Sequence, residues 1–455
     1  MSFEAINPAT GRTISTHAFL DASQLEQALS SADDAFGSWH GRGVEERAGY
    51  LTLLGALLRE RKGELASRMT TEMGKPITQA IGEAEKCAWV CDYYAEHAAA
   101  YLAPVDVDTD AAKSYWTYRP LGIVLGIMPW NFPFWQVIRF AVPAITAGNV
   151  ALLKHAPGVP GCALDLEALF RDAGYPSGVF TNLFIDVEAA GRVIDDPRVR
   201  GVSLTGSVKA GKAVAKRAGE ALKISVLELG GSDPSLVLED ADLDLAAEQC
   251  ALGRFNNTGQ SCIAAKRFIV VEKVREAFQE KLLKQMQAWL PGDPTDPETK
   301  LGPMAREELR DQLHAQVMRS VEAGATLVTG GEIPDRPGAW YTPTLLADVA
   351  AGMPAYEEEL FGPVASILPV PDEDAAIAVA NDTSFGLGAA VYTRDRARGE
   401  RIAAERLDAG SCFVNGIVKS DPRLPFGGTK DSGFGRELSP LGIREFTNRK
   451  TVWVK

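Results

Sequence analysis

The chain has 455 residues, 46% of them hydrophobic and 24% charged. That is the balance of a folded protein too long for one compact core, so two or three domains are expected. A formal net charge of −13 argues against nucleic acid or an anionic membrane as partner, because like charges repel.

The first residues, MSFEAINPATGR, lack the charged-then-apolar pattern of a secretory leader. The longest apolar runs, 121–129 and 141–153, carry Gly or Pro and are too short to cross a bilayer. Six cysteines in a chain this long suit a reducing compartment, so a cytoplasmic protein is expected. Cys87 and Cys91 sit four apart in a helical pattern and read as packing residues. Five histidines, none in an HExxH arrangement, argue against a metal site.

In chain order, the first third reads helical. Ser23 and Glu26 suit a capping box, with Leu25, Ala28, Leu29, Ala32, Ala35 and Phe36 following at helical spacing. A second helix fits 44–69, with Gly74 and Pro76 as its stop signal. The Tyr/Trp/Thr-rich stretch 114–118 reads as a strand ending at Pro120. From Leu121 short apolar runs recur at 122–128, 149–154, 179–185, 201–205, 224–228 and 235–238. Helix-like stretches such as 208–219 lie between most of them, the signature of parallel α/β units. A second α/β stretch begins at 266–271 and continues through 272–290. The Pro-, Gly- and Asp-rich segment 291–303 reads as an irregular connection.

Four local features carry chemistry. Pro129-Trp130-Asn131-Phe132-Pro133 follows a strand-like run; its amide suits an oxyanion donor, and equally a turn. Leu204-Thr205-Gly206-Ser207 leads from strand to helix, a geometry that favours phosphate at the helix N-terminus but is common elsewhere. Leu227-Glu228-Leu229-Gly230-Gly231 places a carboxylate at a strand end, where α/β sites gather and where turn acids are also frequent. Asn257-Thr258-Gly259-Gln260-Ser261-Cys262 presents a cysteine after a Gly turn, either as a reactive thiol or as a packed one.

Taken together, these pieces resemble the aldehyde dehydrogenase superfamily over essentially the full length. Lys154, Glu359-Leu360-Phe361-Gly362-Pro363, Pro425-Phe426-Gly427-Gly428 and Ser432-Gly433-Phe434-Gly435-Arg436-Glu437 match as well, in the family's order and spacing. Lys154-His155-Ala156-Pro157 and Glu228 through Pro234 are similar to the short bacterial succinate-semialdehyde dehydrogenases. The resemblance implies an α/β fold with a Rossmann-type cofactor domain (1–106 and 121–229), an α/β catalytic domain (230–432) and a small β oligomerisation extension (107–120 and 433–455). A homodimer or homotetramer is implied with it.

The resemblance also implies roles. Cys262 is the nucleophile, Asn131 with the Cys262 backbone N–H holds the oxyanion, and Glu228 activates the water that releases the acid. NAD or NADP binds at Trp130, Lys154, Thr205, Gly206, Ser207, Glu359 and Phe361, with no metal. Relatives that prefer NAD carry an acid where this chain has Pro157, so NADP should be tolerated. Relatives often place Lys where this chain has Phe140, so a relay from that position to Glu437 is absent, and Glu437 is expected only to shape the site. Arg139 and Ser420 match positions that hold the far carboxylate of succinate semialdehyde. A second Arg of some relatives is Asn256 here, with Lys419 as a further source of charge. Other short polar or ω-carboxylic aldehydes, such as glutarate semialdehyde, and a cofactor-independent cysteine esterase are the alternatives.

Overall fold

The computed structural model describes residues 2–455. The chain begins with a hairpin, Ser2–Asn7 against Arg12–Ala18, although its first third reads helical in sequence. The apolar alternation there is too brief to separate from a loop. Four helices follow: Ala22–Trp39, Val44–Glu60, Lys62–Met73 and Ile77–Tyr101.

Helix boundaries moved where local chemistry outweighed periodicity. The first helix is capped by Asp21, whose side chain accepts from the Gln24 N–H at 2.8 Å while Gln24 Oε1 accepts from the Asp21 N–H at 2.9 Å. This capping box replaces the Ser23–Glu26 one, since Asp caps as well as Ser. The run 44–69 is two helices, because Arg61 leaves helical geometry (φ −94°, ψ 8°) while the apolar spacing continues past it. The second of them stops at Gly74, at φ 78°. The stretch 272–290 narrows to a short turn, Glu272–Val274, and the helix Arg275–Met286.

Two sheets organise the rest. The first has six strands in the order Gly433–Phe434, Ile224–Glu228, Val199–Thr205, Ile123–Met128, Val150–His155 and Phe180–Asn182. All its neighbours run parallel except the first pair. Continuous apolar strands such as Val150–His155, buried at every residue, are what a parallel sheet covered on both faces demands. The second sheet has seven strands, with Asp233–Val237 between Ala265–Val271 and Gly388–Tyr392; only the edge strand Thr326–Thr329 pairs antiparallel. Apolar layers cover both its faces, one including Ile269, Leu346 and Leu368, the other Phe268, Phe278 and Ile367.

A third, outlying sheet pairs Thr447–Val454, Lys113–Pro120 and Val105–Asp106. Of residues 433–455, therefore, only the last strand joins this sheet, while Gly433–Phe434 pairs with the Glu228 strand. The helix Trp135–Thr146 is buried at all of its residues. It carries the segment after Asn131 into the space between the first sheet and the helix Ile77–Tyr101.

Candidate active site

Cys262 follows a turn, Asn256–Gly259, that ordinary residues resist forming. Asn257, Thr258 and Gly259 have φ values of 54°, 55° and 70° in succession, and a β-branched residue is rare in that region. Such a backbone persists only where its surroundings over-determine it. Here the Arg254 guanidinium donates to the Gly259 carbonyl at 2.6 Å, and Lys266 donates to the carbonyls of Ser261 and Cys262, each at 2.8 Å. The Asn257 amide donates to the carbonyls of Asn131 (2.8 Å) and Gln260 (3.1 Å). Gly259 is required twice over, for its positive φ and because a Cβ there would meet the Gly362 backbone.

Asn131 lies against this loop. Its Nδ2 donates to the Gln260 carbonyl at 3.0 Å, and its Oδ1 accepts from Gln136 at 3.1 Å, which fixes which end of the amide is the donor. One N–H of that amide remains for a ligand. The next helix is held at its N-terminus by Glu83, whose Oε1 accepts from the backbone N–H groups of Phe134 (2.9 Å) and Trp135 (3.0 Å). The other oxygen of Glu83 is ion-paired with the buried Lys75.

Glu228 ends its strand fully buried, with no hydrogen-bond partner for either carboxylate oxygen among the described residues. Burial pushes its pKa well above the carboxylate range, the Arg139 charge opposes the shift, and Glu437 adds to it. The carboxylate rests so close to Gly427 that a Cβ there would lie 2.8 Å from Oε1. Arg139 is ion-paired with Glu437, reaches Thr205 Oγ1 at 3.4 Å and stacks over the Phe426 ring at 4.7 Å. Burial raises Glu437 as well. One buried cation thus lies near two carboxylates and is ion-paired with Glu437, while burial raises both acids. Burial also pushes the Cys262 thiol up to about 12, opposed by Arg139 and Lys266.

Seven residues are expected at a dinucleotide. Ser207 caps the helix Val208–Glu220 through a 3.3 Å bond from the Ala210 N–H and stays exposed. An exposed helix N-terminus of this kind offers free N–H groups to a phosphate. Gly206 lies beside it, its N–H bound to the Glu228 carbonyl at 3.0 Å. Thr205 instead turns inward to Arg139. Trp130 meets Phe361 edge-on at 5.9 Å, and Glu359 accepts from the Gly231 N–H (3.1 Å) and pairs with Lys266 (3.2 Å). Lys154 is buried, its ammonium 5.7 Å from the Phe3 ring, and burial lowers its pKa. This set suits a dinucleotide: aromatic rings for a flat heterocycle, a helix N-terminus for phosphate, and a cation with no carboxylate paired to it. Among the described residues, no group of three His, Cys, Asp or Glu side chains is placed to hold a metal ion.

The model of the aldehyde dehydrogenase family matches residues 1–452. The chain belongs to that family. It is 48% identical over 450 residues to a succinate-semialdehyde dehydrogenase [NADP(+)] of Deinococcus radiodurans, covering 99% of this chain and 94% of that one. It is 49% identical over 449 residues to the succinate semialdehyde dehydrogenase [NAD(P)+] Sad of Escherichia coli K12, covering 99% and 97%. The solved succinic semialdehyde dehydrogenase of Streptococcus pyogenes, in complex with NADP+ as the cofactor, superposes with a TM-score of 0.97 at 38% identity, covering 99% of each chain.

In this aldehyde dehydrogenase a cavity of about 230 Å³ opens beside Cys262. Arg139, Ser420, Asn256 and Lys419, all singled out in the sequence, line it. So do Lys86, Trp135 and Gln136, which sequence reasoning missed. Gln79, Gly82, Glu83 and Lys86 fall at i, i+3, i+4 and i+7 of one helix and share a face. That spacing was visible, but a polar helix face reads as solvated until its neighbours are known.

Proposed function

We propose that this enzyme oxidises succinate semialdehyde to succinate with NAD or NADP as acceptor. The observation that carries this reading is the small cavity lined by Cys262 together with the cations Lys86, Arg139 and Lys419. Drug-sized ligands need about 300 Å³ or more, so about 230 Å³ favours a chain of a few carbons. The names of the relatives support the same substrate, and the alternative semialdehydes differ from it by chain length alone.

Cys262 adds to the aldehyde carbon as the thiolate, its proton having been released to water. Asn131 Nδ2 and the Cys262 backbone N–H receive the oxyanion. When bound, the nicotinamide supplies the hydride acceptor that leaves a thioester on sulfur. Glu228 then takes the proton of the attacking water, with Arg139 and Glu437 setting its charge. A thiolate leaves an acyl group readily, which an alkoxide does poorly. Arg139 and Ser420 form the cavity wall toward the carboxylate of the substrate, and Ser207, Lys154, Trp130, Glu359 and Phe361 hold the dinucleotide. Pro157, exposed beyond Lys154, puts no negative charge against a 2′-phosphate, so NADP is accepted.

The enzyme works as a homodimer or homotetramer in the cytoplasm. The outlying sheet, with Trp116 and Trp453 exposed by 40% and 51%, supports this as a face for a second copy. A rate panel of succinate semialdehyde, glutarate semialdehyde and butanal with each cofactor tests the whole reading. Succinate semialdehyde should lead with a dependence on NAD(P). Turnover of esters without cofactor, and none of aldehydes, would overturn it in favour of the esterase.

A further inference from the structure

Four charged side chains line the cavity beside Cys262: Glu83, Lys86, Arg139 and Lys419. Three are accounted for. Glu83 is answered by Lys75 and by two backbone N–H groups. Arg139 is answered by Glu437, and Lys419 is exposed to solvent. Lys86 is different. It lies over the Trp135 ring at 4.3 Å, and its ammonium donates to Ser420 Oγ at 2.7 Å. Among the described residues no carboxylate lies within ion-pairing distance of it.

We propose that Lys86, together with Ser420, is the anchor that holds the far carboxylate of the substrate, resting on the reading of a semialdehyde oxidase above. An ammonium has three donors and no acceptor, and the bond to Ser420 uses one of them. Because the Ser420 oxygen accepts from Lys86, its own O–H is free to donate elsewhere. The pair therefore offers two kinds of donor to one anion, and a carboxylate oxygen takes both. A half-buried cation without a counter-ion is costly, and an incoming carboxylate removes that cost. Selectivity for an acidic aldehyde then arises from the site's own electrostatics.

The charge of this anchor depends on pH. The groups whose charge acts on Lys86 are Arg139 from the helix Trp135–Thr146, Asp421 from the loop after Val414, and Glu83 and Cys87 on its own helix, while the exposed Lys419 lines the same cavity. Burial first, and then the Arg139 charge, push the Lys86 ammonium down to about 8. A lowered lysine pKa means the charged form exists below about pH 8 and is lost above it. The KM for a carboxylate aldehyde therefore rises as pH passes 8. An uncharged aldehyde lacks this step, and the ratio of the two kcat/KM values cancels pH effects on Cys262 and Glu228.

The test measures kcat and KM for succinate semialdehyde and butanal, from pH 6.5 to 9.5, in wild type, K86M and K86R. In K86M the succinate semialdehyde/butanal ratio should fall roughly ten- to a hundredfold, mainly in KM, and its decline near pH 8 should vanish. K86R should keep the preference but not the decline, because arginine stays charged. An unchanged ratio in K86M, or an equal loss on both substrates, would overturn the anchor while leaving the succinate semialdehyde reading intact. A wild type that shows no preference over butanal overturns that reading, and the anchor with it.

Discussion

At the nucleophile end, Cys262 is positioned by backbone: it leaves a turn of three left-handed residues, with Arg254 donating to the Gly259 carbonyl, Lys266 to those of Ser261 and Cys262, and Asn257 to those of Asn131 and Gln260. At the other end, Lys86 and Ser420 are 334 residues apart in sequence and meet through a single side-chain contact. The first end is costly to form and tolerates little change, since each residue answers a constraint set by its neighbours. The second is an ordinary helix face and loop, where a substitution leaves the fold intact. Chemistry common to every aldehyde belongs at the rigid end, and discrimination among aldehydes at the adjustable one.

The largest effect expected from this contrast is at the nucleophile. Cys262→Ala should lower aldehyde oxidation by about a thousandfold or more, while fluorescence titration still detects cofactor binding. Residual turnover near that of the wild type would break the comparison at its root. Glu228→Gln should cost about 10²- to 10³-fold in steady state and leave a burst of reduced cofactor as the thioester accumulates. The pH profile follows from the sign of the Glu228 shift. Its pKa is raised, mainly by burial, so the working carboxylate is scarce at low pH and the deacylation rate climbs as pH rises. Glu228→Gln should flatten that climb, measured under conditions where the burst is complete.

The two ends also differed in how legible they were from sequence. The segment Asn257 through Cys262 is contiguous because one turn needs all of it: Asn for a left-handed backbone with two donors, Gly for φ 70° beside a carbonyl, Cys at its exit. Glu228 and Ser207 were readable for the same reason, as each sits where a strand or helix of the parallel unit ends. The parallel strands themselves were plain from their unbroken apolar runs. Lys86 was not, because a lysine on a helix looks the same whether solvent or a cavity faces it. The pairing of Arg139 with Glu437 was hidden likewise, since the Lys expected at position 140 is Phe140, and the cation comes one residue earlier. The break at Arg61 was invisible because apolar spacing continued through it.

Asn257→Ala sharpens the contrast through stability. The variant loses the donors to the Asn131 and Gln260 carbonyls and puts alanine at φ 54°. The Asn131 carbonyl left without its donor, the weakened hold on Gln260, which keeps its bond from Asn131, and the strain should together cost about 1–3 kcal/mol of unfolding free energy. Thermal unfolding should register that loss, and activity should fall on acidic and neutral aldehydes alike. A loss confined to succinate semialdehyde would show that the two ends are not separable.

The smallest effect belongs to Ser420. Its hydroxyl contributes a neutral hydrogen bond to the substrate carboxylate, worth about 1 kcal/mol, so Ser420→Ala should raise the KM for succinate semialdehyde roughly fivefold relative to butanal. The more informative quantity is the coupling to Lys86. The two side chains touch at 2.7 Å, and groups in direct contact are not additive. With Lys86 replaced by Met, the Ser420 oxygen has lost its donor and its hydroxyl is free to reorient. Removing it should then cost less than it does beside the lysine. A double-mutant cycle on KM should therefore give an interaction of about 0.5 kcal/mol or more, and Ser420→Thr, which keeps the hydroxyl, should restore most of the selectivity. Strict additivity would mean that the two residues meet the substrate independently, and the far end would then be two weak sites in place of one seat for a carboxylate.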